Sequence, residues 1–108
     1  MMKLLLSYFD QNEEFAKSLP RRCSVDRVVR SSRDDEWTMV RLDEPVDHGN
    51  RVYHHLLLRS RWHGLPIGGE EATSVHIVLV RSDDLLCDGF VIGSKDHVAW
   101  GMAERIEE

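Results

Sequence analysis

Thirteen consecutive residues, Arg51 to His63 (RVYHHLLLRSRWH), constrain this chain more than any other stretch. Successive side chains on a strand point to opposite sides, so a period of two sorts the stretch into two surfaces. Val52, His54, Leu56, Leu58, Ser60 and Trp62 form a largely apolar set, expected to face the core. Arg51, Tyr53, His55, Leu57, Arg59, Arg61 and His63 form a basic, amphipathic set in which only Leu57 is frankly apolar. Helical spacing scatters the leucines and arginines without making a stripe, so the pattern predicts a strand. At about 3.3 Å per residue the stretch would span roughly 43 Å, more than twice a usual strand, and a bend, a bulge or a frayed end is expected.

The segments on either side supply its neighbours. Trp37 to Leu42 alternates and leads into Asp43-Glu44-Pro45 and the turn Asp47-His48-Gly49-Asn50. A two-residue loop at His48-Gly49 places Asp47 opposite Asn50, Met39 opposite Leu58, Trp37 opposite Ser60 and Arg41 opposite Leu56. On that register Trp37 and Met39 share a core with Leu56 and Leu58. After a glycine-rich connection containing Gly64, Gly68 and Gly69, residues 73 to 81 alternate again. Because a one-residue slip turns a whole face inside out, the core should choose the register. The choice puts Leu58 by Leu79, Ser60 by Ile77, Trp62 by Val75, Arg61 by His76, Arg59 by Val78 and Leu57 by Val80. The strand 51–63 is then central, between 37–44 and 73–81.

The remaining segments are less constrained. Residues 1 to 19 carry Met1, Leu4, Leu5, Tyr8, Phe15, Ala16 and Leu19 at i, i+3, i+4 spacing, which predicts an amphipathic helix ended by Pro20. A competing reading makes Lys3 to Phe9 a strand and starts the helix after Asp10, which with Glu13 resembles a capping box. CSVDRVVR (23–30) fits either period, its valines tilting it to strand. Phe90-Val91-Ile92 reads as a short strand. In 97–106, Val98, Trp100 and Met102 alternate and Gly101 disfavours a helix, so a terminal strand is preferred. The fold expected is α+β, an N-terminal helix packed on a twisted antiparallel sheet of five or six strands, in a single domain over residues 1–108.

Composition excludes several classes. A net charge of −5 argues against general nucleic-acid binding, although a local basic patch is compatible with it. Eleven of the 14 basic residues are arginine, which base composition of the genome explains as well as chemistry does. No run is long enough to span a membrane as a helix, and MMKLLLSYFD lacks the apolar length and cleavage site of an export signal. A cytoplasmic location is therefore expected, with Cys23 and Cys87 as reduced thiols. Six histidines invite a metal hypothesis, but no HxxxH, HExxH or CxxC spacing occurs, and adjacent His54 and His55 should point to opposite faces. No metal and no cofactor are expected. The serines sit in no nucleophile elbow and the glycines form no phosphate loop. Asp34-Asp35, Glu70-Glu71 and Asp83-Asp84 fall in presumed turns and read as solvated charges.

What remains is a face carrying Arg59, Arg61, His63 and His76. Two arginines two apart on a strand present guanidinium forks to one side, which suits a carboxylate, a phosphate or an acidic partner surface. The structural alternative pairs these arginines with Glu70 or Glu71 and covers Leu57, Val78 and Val80 with the N-terminal helix. With catalytic motifs absent, the function expected is a small non-enzymatic protein-interaction module, of adaptor or inhibitor type, with an acidic or anionic contact surface on its partner. The competing function is a small enzyme acting on an anionic substrate, with Arg59 and Arg61 holding charge and His76 as general acid or base.

Overall fold

The computed structural model describes residues 2–8, 20–33, 35–48, 51–61, 67–79, 89 and 97–106. Six strands run through them: β1 Lys3–Tyr8, β2 Arg21–Arg30, β3 Glu36–His48, β4 Arg51–Ser60, β5 Thr73–Leu79 and β6 His97–Ile106. Each strand pairs antiparallel with the next, and β6 returns to pair with β1, closing a six-stranded barrel. Strand order around the barrel follows the chain, the simplest route for short antiparallel connections.

The expected α+β fold is therefore wrong: this is an all-β barrel, with no helix among the described residues. Of the two readings of the N-terminus, the strand forms, over Lys3–Tyr8. Leu4 and Leu6 are fully buried while Lys3, Leu5 and Ser7 are half-buried, a period of two. In so short a window the leucines satisfy helical and strand spacing equally. The decision comes from outside the window. β2 and β6 would each have an unpaired edge without β1, which supplies Leu4 opposite both Cys23 and Arg105 and so satisfies both. The rest of the helix expected over residues 1–19, from residue 9 onward, and the expected strand at Phe90-Val91-Ile92 lie outside the described residues.

Side chains from all six strands fill the interior: Leu4, Leu6, Cys23, Val40, Leu42, Val46, Tyr53, Leu56, Leu58, Val75, Ile77 and Ala103 form one buried cluster. Small barrels are packed cores and not pores, and this one follows that rule. β6 contributes the smallest residues. At Gly101 an added Cβ would lie 2.7 Å from the Ser7 carbonyl oxygen and 2.9 Å from Ile77 Cδ1, so only glycine lets β1 and Ile77 approach this closely. The strand preferred for 97–106 is present, but its inward residues are Gly101 and Ala103, and Trp100 and Met102 are only half-buried. In the connection before β5, Gly68 has φ of 82°, a left-handed turn that glycine adopts without strain.

β4 is flanked by β3 and β5 as expected, but both registers differ. Thr38, not Met39, faces Leu58, and Met39 faces Leu57. Leu58 faces Ile77 and Arg59 faces His76, a shift of two residues that keeps every side chain on its expected face. The one-residue change on the β3 side does alter faces. Trp37 and Met39 are buried, but with Val29, Leu57 and Val78 in a second cluster on the outside of the barrel wall. The cause is a pair of bulges. Register shifts between Val25 and Arg27 on β2, and between Arg41 and Val46 on β3, where residues 42–45 stand against His54 alone. The expected irregularity of the long strand thus occurs, inside its first half. It reverses the phase of β4, so that Tyr53 is buried and Val52 is 56% exposed.

Burial also fixes the chemistry of Cys23, which is free and fully buried. Desolvation, helped by Asp43 and opposed by Lys3, pushes its thiol up from 9.0 to about 12. The fold holds the neutral thiol, so this contribution to stability is complete below pH 9 and is lost as pH rises towards 12. Between those limits wild type should lose stability more steeply than Cys23→Ala, as read from denaturation midpoints across the alkaline range. Parallel curves for the two proteins would show that the thiol ionises without a penalty from the fold.

Candidate functional site

The barrel wall places outward residues of neighbouring strands in transverse rows. One row carries Val29, Trp37, Arg59, His76 and Trp100 across five strands: Val29 pairs with Trp37, Arg59 with His76, and His76 with Trp100. The β3–β4 register brings Trp37 beside Arg59, whose Cζ lies 5.8 Å from the indole centroid. His76 lies between two indoles. Its ring is tilted 54° to Trp37 at 5.5 Å and stacked on Trp100 at 4.8 Å and 25°. Arg61, just beyond the end of β4, reaches over Trp100 at 5.4 Å, and its backbone N–H donates to the Ser74 carbonyl at 2.9 Å. Each cation–π contact contributes about 0.5–1 kcal/mol at an exposed site. Together they hold both guanidinium groups in place.

Arg59 also meets Asp35, Nη2 to Oδ1 at 3.4 Å, both side chains partly exposed. Asp35 is delivered by the turn between β2 and β3. Ser31 Oγ accepts from the Arg33 and Asp35 backbone N–H groups, and the Ser31 N–H donates to the Asp35 carbonyl at 2.9 Å. Arg59 takes its counter-charge from this turn and not from Glu70 or Glu71. An exposed pair of this length contributes little to folding, so its role is orientation.

Of the four candidate residues, Arg59, Arg61 and His76 are brought together, joined through Trp37 and Trp100. His63 lies outside the described residues. Parity along β4 and β5 was enough to put Arg59 and His76 on one face. The sequence pattern hides the indoles, because a register one residue off faces Trp37 inward and nothing in the 80–96 connection reveals how β6 registers on β5.

A second row belongs to the apolar cluster: Arg27 pairs with Met39, Met39 with Leu57, and Leu57 with Val78. Beyond it Ser24 pairs with Arg41, and Arg41 with His55. There the two bulges open a groove of about 640 Å³ lined by Ser24, Asp26, Arg41, Leu42, Asp43, Pro45, His54 and His55. The expectation that His54 and His55 point to opposite faces fails here, because the phase reversal of β4 turns both towards one groove. Among the described residues no group of three His, Cys, Asp or Glu is arranged to hold a metal ion. No described helix is long and apolar enough to cross a membrane, a statement that does not extend to strands. Comparison with protein-family models, with curated proteins and with solved structures returns no match.

Proposed function

We propose that this chain is a non-enzymatic interaction module, of adaptor or inhibitor type, that engages an acidic surface of a partner protein through Arg59, Arg61, His76 and Trp100. The observation that carries the reading is the row itself. Arginine and tryptophan dominate the energetic centres of protein interfaces, and here they are interlocked before any partner arrives. Guanidinium groups already held against indoles lose less side-chain freedom on binding than free ones, which favours affinity. Trp100 and His76 are half-buried and Arg61 is exposed, so the row presents polar ends over an apolar base. A cytoplasmic location agrees with the free Cys23 thiol.

The competing enzymatic reading, with the same face acting on an anionic substrate, has less support. His76 packs between two indole rings, which cover the faces of its imidazole.

Charge-assisted bonds contribute about 1.5–3 kcal/mol each, so Arg59→Ala with Arg61→Ala should weaken partner binding at least about tenfold. Affinity capture with wild type and the double variant side by side, quantified by mass spectrometry, tests this. A set of proteins depleted by that factor, at an unchanged denaturation midpoint, is the expected result. Equal capture by both proteins would remove the row from the interface. Unfolding of the double variant would make the arginines structural.

A further inference from the structure

The groove at the two bulges is a different surface from the row, and its chemistry does not depend on that reading. Bulges re-aim side chains and are common beside functional sites. Here they do something a regular strand forbids, which is to turn two adjacent histidines, exposed His54 and half-buried His55, to the same side. Arg41 stands opposite His55, exposed, and makes none of the ion pairs formed among the described residues. Ser24 flanks it from β2, a hydroxyl able to donate. Leu42 and Pro45 give the groove an apolar part, and about 640 Å³ falls in the range of small-ligand sites.

The charges around the two histidines can be counted strand by strand. β2 brings Asp26 and β3 brings Arg41 and Asp43. Lys3 of β1 pairs with Asp43, and Glu44 pairs with Arg21 at 3.3 Å. Among the described residues Arg41 and Lys3 therefore balance Asp26 and Asp43. Both imidazole rings add N–H donors beside the Arg41 guanidinium.

We propose that this groove is a binding site for a small organic phosphate ester, with Arg41 forking the phosphate oxygens, His54 and His55 flanking it as N–H donors, and the organic part lying on Leu42 and Pro45.

An NMR titration of the full chain tests this with phenyl sulfate and phenyl phosphate. Phenyl sulfate carries the same charge across the pH range, so any change in its affinity belongs to the protein. It should give saturable shifts centred on Arg41, His54 and His55. At pH 8, where its head group is close to a dianion, phenyl phosphate should bind more tightly than phenyl sulfate. Arg41→Gln should weaken both about tenfold. His54→Ala with His55→Ala should weaken both esters about tenfold by removing two donors. Arg59→Ala with Arg61→Ala should have no effect, which separates this site from the row. These are surface positions, and an unchanged denaturation midpoint in the Arg41 or the histidine variants makes their binding data decisive. Absence of saturable shifts, insensitivity to Arg41→Gln, or tighter binding of the sulfate overturns the proposal. So does zinc shifting both histidines in preference to either ester, which would mark a cation site.

Discussion

Leu58→Ala should destabilise the protein by roughly 2–5 kcal/mol, and Leu57→Ala should cost a comparable amount. Both leucines are fully buried although they are neighbours on one strand and point to opposite sides of the barrel wall. Leu58 lies inside, between Thr38 and Ile77, in the main cluster. Leu57 lies outside, between Met39 and Val78, in the second. Truncating either removes apolar contacts and leaves a cavity that close-packed neighbours fill only in part. Against a typical domain stability of about 5–15 kcal/mol such a loss is large, and urea midpoints will register it. Val28→Ala, at a residue 56% exposed, is the internal control and should change little. A neutral Leu57→Ala beside a costly Leu58→Ala would mean that the outer cluster is not a core.

The second large effect is expected at Gly101. Its missing Cβ is what lets β1 and β6 meet, since that atom would stand 2.7 Å from the Ser7 carbonyl oxygen. A backbone oxygen in a paired strand cannot swing aside as a side-chain end can. Gly101→Ala should cost about 1–3 kcal/mol, and Gly101→Val more, by forcing the β1–β6 seam apart. Hydrogen exchange separates this from general weakening. Amides of β1 that pair with β6 should lose protection before those at the β3–β4 pairing. An alanine variant as stable as wild type would show that the seam is looser than the geometry states.

The parts of this fold visible from sequence are those where alternation runs unbroken. Leu56, Leu58, Val75 and Ile77 announce their face by period alone, and β3, β4 and β5 take their expected order. Arg59 and His76 share a face for the same reason, whatever the exact register. Four other features have no local signature. The β3 bulge depends on where Leu42 to Pro45 sit against β4, and no turn residue at 47–50 reports it. It sends Trp37 and Met39 outward and turns His54 and His55 together. The N-terminal strand depends on partners some 20 and 100 positions away in the chain, which a local apolar stripe cannot reveal. Asp35 comes to Arg59 through a turn tied by Ser31 Oγ, and Trp100 comes to His76 through a register set only by barrel closure.

Closure is the central claim, and cross-strand nuclear Overhauser effects test it most directly. Leu4 should show contacts to Cys23 on one side and to Arg105 on the other, and Leu6 to Arg21 and to Ala103. Extended-strand shifts and contacts on both sides of β1 are the predicted result. Contacts from residues 3–8 to β2 alone, with none to β6, or helical shifts over the same residues, would contradict it.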